Sequence, residues 1–236
     1  MTAGMDRGDA RPRLDRIAED LAPHGLSARG VVVFGEDDDR PALMSGEPAA
    51  SVVLVGAVGG SLFEPFTAWR HRDPAGGGSD PLDTWSKAVI APVAAAHGAT
   101  AFFPSDPPYQ PFQRWAMRAE GLKASPLGIL IHPDHGLWHS YRGALAFPVV
   151  IEAPAVAARP HPCETCRTRP CLSACPVGAI REDGFAVADC RRHLRLAEGQ
   201  AGCMLDGCIA RNACPVGVAD RYGPDQLRFH MAALTL

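Results

Sequence analysis

The first 162 residues contain no cysteine, and all eight cysteines of the chain lie between Cys163 and Cys214. The 236-residue chain also lacks an apolar run long enough to span a bilayer, and its N-terminus lacks the apolar core of a secretory signal. Lysine and arginine number 23 against 26 acidic residues, so the net charge of −3 does not indicate a surface that coats nucleic acid. We therefore expect a cytoplasmic protein with no membrane and no nucleic acid among its partners.

The confinement of the cysteines to one segment bears on their chemistry. In a reducing compartment such cysteines stay as thiols or thiolates rather than forming disulfides. Four of them fall within the thirteen residues of CETCRTRPCLSAC, which begins at Cys163, and four more follow. Ligation of a metal or of an iron–sulfur cluster is therefore the favoured interpretation.

Ahead of the cysteines, apolar residues recur at the spacing of amphipathic helices or form short β-branched runs typical of buried strands. A linker rich in proline and alanine, EAPAVAARPHP, precedes Cys163. We expect helices over residues 14–21, 62–72, 81–97 and 112–120, strands over 31–34, 52–58 and 100–103, and a strand, a turn and a strand over 127–147. The pattern predicts an α/β (α+β) N-terminal domain with a mixed sheet and flanking helices at residues 1–155, followed by a small cysteine-rich domain at residues 156–236.

Both cysteine groups end in the same tetrapeptide, Cys-Pro-Val-Gly, at Cys175 to Gly178 and at Cys214 to Gly217. In bacterial ferredoxins with two clusters, three cysteines of a run hold one cluster and the Cys-Pro cysteine ligates the other. Proline favours this crossover because its fixed φ and missing N–H direct the chain out of the loop. The repeated ending therefore predicts interleaved ligation in a small ferredoxin-like dicluster domain.

Interleaved ligation assigns every thiol to one of two [4Fe–4S] clusters. The spacing is longer than in the short ferredoxin run, with four residues between Cys166 and Cys171 and four between Cys203 and Cys208. Two structural zinc sites are the alternative. The predicted first thiol set is Cys163, Cys166, Cys171 and Cys214, and the predicted second thiol set is Cys175, Cys190, Cys203 and Cys208.

With this cysteine pattern the chain resembles the epoxyqueuosine reductases, in which an isolated cysteine also lies between two Cys-Pro groups. The segment LGILIHPDHGLWHSYRGALAF at residues 127–147 is similar to the LLIHPEFGSW-like segment of that family. The resemblance implies a dicluster ferredoxin domain after an N-terminal domain that is related to the cobalamin-processing MMACHC fold and binds cobalamin, which the clusters reduce. The family's Gly-Arg-Asp-Tyr-His segment, with its proposed proton-donating aspartate, has no counterpart here, so the resemblance does not extend to queuosine chemistry.

Aromatic residues in and before this segment are the candidates to contact a large planar cofactor. Core packing is the alternative interpretation for each of them. These predicted cofactor contacts are Tyr109, Trp115, Trp138 and Tyr141, with Phe112 beside them. No sequence feature identifies a ligand to the cobalt, for which His132, His135, Asp80 and Asp83 are candidates and a site with no protein ligand is equally allowed.

Three histidines in HPDHGLWHS, namely His132, His135 and His139, could also bind a metal. A polar turn with exposed imidazoles is the favoured interpretation, because no helical spacing places the three on one face. Asp80 and Asp83 precede or begin a predicted helix, where capping is the favoured role.

These features predict an iron–sulfur oxidoreductase. Its two clusters would pass electrons from a redox donor protein to a cofactor, cobalamin under the resemblance, or to a small-molecule substrate in the N-terminal domain. A ferredoxin-type electron carrier is one alternative, although a carrier needs little beyond its cluster domain. A protein that binds or processes cobalamin without turnover of its own is the other, and no catalytic residue is assigned.

Overall fold

The structure, a computed structural model, describes residues 10–234. These residues form two compact units. The first unit contains the described residues up to Ala57, together with Ser61–Glu120 and Ser140–Ala157. The second unit contains Val58–Gly60, Gly121–His139 and the described residues from Ala158 onward.

Among the described residues, the α-helices of the first unit have at least nine residues, whereas most of those in the second unit have four or five. The first unit contains α1 (Ala10–Leu21), α2 (Phe63–Arg72), α3 (Pro81–Ala96) and α4 (Phe112–Glu120). The second unit contains α5 (Pro162–Thr165), α6 (Pro170–Ala174), α7 (Val187–Arg195), α8 (Ala197–Ala201), α9 (Cys203–Asp206), α10 (Ile209–Asn212) and α11 (Pro224–Ala232).

The strands form one larger sheet and two short ribbons. They are β1 (Ser27–Val33), β2 (Ser51–Val58), β3 (Thr100–Phe102), β4 (Lys123–Ala124), β5 (Leu130–Ile131), β6 (His139–Phe147), β7 (Ile180–Arg181) and β8 (Gly184–Phe185). The larger sheet has the order β1-β2-β6-β3, β4 pairs with β5, and β7 pairs with β8. No helix of residues 10–234 is both long and apolar enough to cross a membrane.

The first unit is an α+β fold, as the sequence predicts. Strand β2 is buried from Ser51 to Ala57 because it lies inside the sheet and its run of valine and leucine suits burial on both faces. The sequence predicted a mixed sheet, whereas the four strands run antiparallel, since hydrophobic periodicity carries no information about strand direction. Strand β1 has a register shift between Ala28 and Gly30, which places Arg29 at a bulge.

The second unit packs its short elements around a small apolar cluster. Leu127, Ile131 and Leu137 from the Gly121–His139 segment lie in one cluster with residues of the cysteine-rich region. The predicted division at residue 155 is close to the point where the chain enters this unit for the last time, at Ala158. The Gly121–His139 segment, however, belongs to the second unit as well, because its apolar side chains are part of this cluster.

Candidate functional site

Two cavities in the second unit are each lined by four cysteines. The first has a volume of about 390 Å³, and the thiols that line it are Cys163, Cys166, Cys171 and Cys214. The second has a volume of about 40 Å³, and the thiols that line it are Cys175, Cys190, Cys203 and Cys208. This grouping is the one drawn from the sequence, with each Cys-Pro cysteine beside the other group; the role of the thiols as ligands stays a prediction.

Short helices position the first thiol set. Helices α5 and α6 each begin with a proline, followed directly by Cys163 and by Cys171. The Nδ1 atom of His161 accepts a hydrogen bond from the Cys163 backbone N–H at 3.2 Å, and its Nε2 lies 2.9 Å from the Ala124 carbonyl oxygen. Through these two contacts the His161 ring anchors the start of α5.

The second thiol set combines the end of one helix with the starts of others. Cys175 follows α6, Cys190 lies within α7, Cys203 begins α9, and Cys208 precedes α10. Apolar side chains complete the cavity wall, so these thiols lie in a less hydrated environment than the first set. They include Ile180, Phe185, Leu194 and Ala210.

Burial, followed by the effects of neighbouring thiols and backbone groups, raises the pKa of five of these cysteines, which are Cys163, Cys171, Cys190, Cys208 and Cys214. Burial, followed by the neighbouring thiols Cys214, Cys171 and Cys166, raises the pKa of Cys163 to about 11. Burial, followed by Cys208, Cys175 and Cys203, likewise raises the pKa of Cys190 to about 11. Each of these neighbours belongs to the same set as the affected thiol. Four thiolates in either cavity therefore require a positively charged group to bind them.

Backbone N–H groups already point at several of the sulfur atoms. The Ala179 N–H donates to Cys175 Sγ at 3.3 Å. The N–H groups of Arg211 and Ala210 oppose the rise in pKa at Cys208, and that of Val216 does so at Cys214. Such donors stabilise sulfur-centred negative charge.

The two thiol sets surround cavities rather than converging on a point. A tetrahedral zinc site holds its sulfur ligands about 2.3 Å from one ion. Across residues 10–234, no three histidine, cysteine, aspartate or glutamate side chains come together closely enough to hold a single metal ion.

The two histidines of the HPDHG turn (residues 132–136) and His139 are grouped in the second unit, but each has another partner. The rings of His132 and His135 stack with centroids 4.5 Å apart, and His135 Nδ1 lies 2.8 Å from Asp220 Oδ2. His132 Nδ1 accepts N–H groups of its own turn, and His139 Nε2 lies 3.2 Å from the Leu130 carbonyl oxygen. The expected polar turn is present, but the imidazoles are half-buried rather than exposed because these partners hold them.

The predicted cofactor contacts have very different environments. Trp115 is buried in the first unit against Phe34, and Trp138 is fully buried in the second unit with the Arg211 guanidinium 4.3 Å from its ring. Tyr109 is 75% exposed, and Tyr141 is half-buried. The two tryptophans are core residues of their units, and their contact with a cofactor stays a prediction.

The two acidic candidates at the start of α3 also differ. Asp80 is the residue before the helix, but its side chain makes no capping hydrogen bond. Asp83 lies in the first turn and forms an ion pair with Arg142 at 2.9 Å. The expected capping role is therefore wrong for the Asp80 side chain, and an ion pair accounts for Asp83.

Sequence reasoning missed a buried polar network in the first unit. Arg29 and Glu120 form an ion pair at 3.0 Å, with each side chain only 8% exposed. The Tyr141 hydroxyl donates a short hydrogen bond to the same Glu120 carboxylate. Charged residues at the start of β1 and at the end of α4 would be expected to face solvent. No local sequence pattern predicts that these two residues form an ion pair.

Scans against protein-family models and against curated proteins give no match. Among solved structures, the chain is similar to the B12-trafficking protein CblC of C. elegans, a human MMACHC homologue, with a TM-score of 0.55 and 12% identity over 94% of this chain and 92% of that chain. It is also similar to epoxyqueuosine reductase from Streptococcus thermophilus, with a TM-score of 0.56 and 15% identity over 93% of this chain and 70% of that chain. At these identities the likeness is one of fold.

Proposed function

We propose that the chain is an iron–sulfur oxidoreductase whose second unit holds two [4Fe–4S] clusters and whose first unit binds the cofactor or substrate that receives their electrons. The observation that carries this proposal is the division of eight thiols into two sets of four, each lining its own cavity. Each set includes the Cys-Pro cysteine that ends the other group, which is the ligand pattern of two-cluster ferredoxins.

The residues around the thiols fit such a group. A bound [4Fe–4S] cluster supplies one-electron transfer at a potential set by its ligands, its hydrogen bonds and its exposure to solvent. The Ala179 N–H donates toward Cys175, and those of Arg211 and Val216 point at Cys208 and Cys214, so both sets have backbone donors for sulfur charge. Ile180, Phe185 and Leu194 keep water away from the second set.

We further propose a corrinoid as the cofactor of the first unit. Support comes from the likeness of fold to CblC, a B12-trafficking protein, and to epoxyqueuosine reductase. Tyr109 and Tyr141 are the better placed of the four predicted contacts because their side chains are not fully buried, whereas Trp115 and Trp138 already pack in a core.

A corrinoid-binding or corrinoid-processing protein without turnover of its own is the second candidate. The likeness to CblC favours it, since the two chains cover 94% and 92% of each other. A pure electron carrier is less favoured, because the first unit has its own four-stranded sheet and apolar core, which a carrier does not need.

Metal and sulfide analysis of anaerobically reconstituted protein tests the cluster proposal. We expect about eight iron and eight acid-labile sulfide per chain, with the EPR signals of two reduced clusters after reduction. A parallel sample loaded with zinc and no sulfide is the control. Full occupancy by zinc, with no uptake of sulfide under reconstitution conditions, would contradict the proposal.

A further inference from the structure

Helix α7 has two chemically different faces. Its inward face contributes Cys190 and His193 to the wall of the second cavity, and Leu194 is buried beside them. Its outward face is strongly basic and exposed to solvent. The arginines on that face are Arg191, Arg192 and Arg195.

This basic face is only partly neutralised. Asp189 lies on the same helix and pairs with Arg192 at 2.8 Å and with Arg181, on β7, at 3.3 Å. In the part of the chain that the structure describes, Arg191 and Arg195 have no carboxylate within ion-pair distance. Two of the four arginines, Arg181 and Arg192, therefore share the carboxylate of Asp189, and the face presents a net positive charge.

Exposed apolar side chains lie at both ends of this basic face. Val187 at the start of α7 is 48% exposed, and Leu196 directly after its end is 52% exposed. Arginine is enriched in protein interfaces, and a small apolar patch beside complementary charge suits a transient contact between proteins. The arginines would set the rate and orientation of encounter, and the apolar ends would be covered in the complex.

We propose that the outward face of α7 is the docking surface of a small acidic electron-carrier protein. This inference rests on the proposed function, since it assigns the second thiol set as the point where electrons enter. A carrier seated on α7 is separated from Cys190 by no more than the width of one helix, about 10 Å. One electron passes from the reduced carrier to the cluster, so the carrier is oxidised and the cluster reduced, and no bond forms or breaks.

The mouth of the first cavity has the opposite charge. Glu164, Glu182 and Asp183 are exposed carboxylates on its wall, and Arg169, the one arginine among the described residues that line it, pairs with Glu182 at 2.9 Å. An acidic carrier is repelled from this side and attracted to α7. Charge thus distinguishes the two thiol sets and selects the second for this partner.

An acidic protein fits this face better than a nucleic acid does. The exposed residues of α7 are arginines with Val187 and Ala188, and none is an aromatic residue on which a base could stack.

Binding of a small acidic plant-type ferredoxin to the reconstituted full chain tests the docking surface. We expect binding that weakens with salt, and a loss of affinity of about tenfold in Arg191→Gln/Arg195→Gln at low ionic strength, measured by fluorescence anisotropy of the labelled ferredoxin. The variant Arg191→Lys/Arg195→Lys keeps the charge and should bind like the wild type. Arg167→Gln/Arg228→Gln removes two exposed arginines elsewhere in the same unit and should have little effect.

Stopped-flow reduction of the clusters by the same reduced ferredoxin should show a parallel fall in the second-order rate constant. Unchanged binding in Arg191→Gln/Arg195→Gln, or an equal loss in the control pair, would overturn the docking surface. An RNA hairpin that binds more tightly than the ferredoxin and is lost in the same variant would overturn the choice of partner. The binding measurement needs no electron transfer, so it tests the docking surface alone. The iron and sulfide content of the wild type tests the cluster proposal separately.

Discussion

The backbone of Gly217 lies directly against that of His135: a methyl group added at Gly217 would be 2.2 Å from the His135 carbonyl carbon. Gly217 ends the second Cys-Pro-Val-Gly repeat with a φ of 69°, and Gly178 ends the first with a φ of 59°. Nothing lies within 4 Å of a methyl group added at Gly178. The two repeats therefore share a backbone conformation but not an environment, and only the second is fitted against the HPDHG turn.

Gly178→Ala and Gly217→Ala separate backbone strain from steric clash. Both place a side chain at positive φ, which costs about 1 kcal/mol. Only Gly217→Ala adds a clash with backbone, so we expect it to cost roughly 2 to 4 kcal/mol in the free energy of unfolding. Urea unfolding, with hydrogen exchange on peptides that cover the HPDHG turn, measures both. Equal losses in the two variants would show that the Gly217 contact is not tight.

Substitution of single cysteines tests the interleaved ligation. Cys171→Ala and Cys214→Ala should damage the same cluster, since both thiols line the first cavity, whereas Cys175→Ala should damage the other. EPR of the reduced variants reports which of the two signals is lost. Pairing of Cys171 with Cys175 in this experiment would mean that each run forms its own site.

Substitutions of Glu120 and of Tyr141 in the buried network should lower the free energy of unfolding by different amounts. Glu120→Gln leaves the Arg29 charge buried without its carboxylate and should cost roughly 3 kcal/mol or more. Tyr141→Phe removes only the neutral hydroxyl, with its hydrogen bonds to Glu120 and Arg29, and should cost about 1 kcal/mol. Urea unfolding of the two variants gives both values, and a smaller loss in Glu120→Gln than in Tyr141→Phe would contradict the buried ion pair.

The same network predicts a dependence of stability on high pH. Burial, and then the negative charge of Glu120, raises the pKa of Tyr141 above its ordinary value of about 10. Above that value the unfolded chain loses the tyrosine proton while the folded chain keeps it, so this contribution to stability is full below pH 10 and falls as the pH rises further. Tyr141→Phe should lose less stability than the wild type between about pH 10 and 11. Parallel curves for the two proteins would contradict the raised pKa.

Titration with cob(II)alamin tests the corrinoid proposal. If an apolar pocket is preformed, burial of the ring gives a dissociation constant in the micromolar range or below, about −8 kcal/mol. The visible and EPR spectra of the corrinoid should shift in cluster-loaded and in cluster-free protein, but only cluster-loaded protein whose clusters have first been chemically reduced should pass electrons to it. Spectra that do not change at high micromolar concentration would remove the corrinoid and leave a different cofactor or substrate.

The long helices and the buried strand β2 could be predicted because each has a local signal. Helix α3, expected over residues 81–97, spans Pro81–Ala96, since proline favours its first turn and a glycine follows its end. The expected first strand of residues 127–147 is only Leu130–Ile131, and it pairs with Lys123–Ala124, two exposed residues without a strand pattern. Helices of four or five residues, such as α5 and α6, are too short for a helical period to appear.

The candidate site also has features that the sequence could predict and features that it could not. The two groups of thiols could be drawn from the repeated Cys-Pro ending because ligand chemistry, rather than folding propensity, sets that pattern. Arg29 and Glu120 could not be paired, because their contact joins a bulge on β1 to the end of α4 and nothing local couples them. The sequence could not tell whether Trp115 and Trp138 contact a cofactor, because an aromatic residue suits a core and a cofactor site equally well. Only the packing around each side chain distinguishes the two roles.

The division of the thiols also fixes an order of completion during synthesis. The second set has all four cysteines once Cys208 has emerged from the ribosome, although the first set begins earlier, at Cys163. The first set waits for Cys214, six residues later, counting from 208 to 214. A nascent chain that has reached residue 213 therefore carries one complete set of thiols and three members of the other.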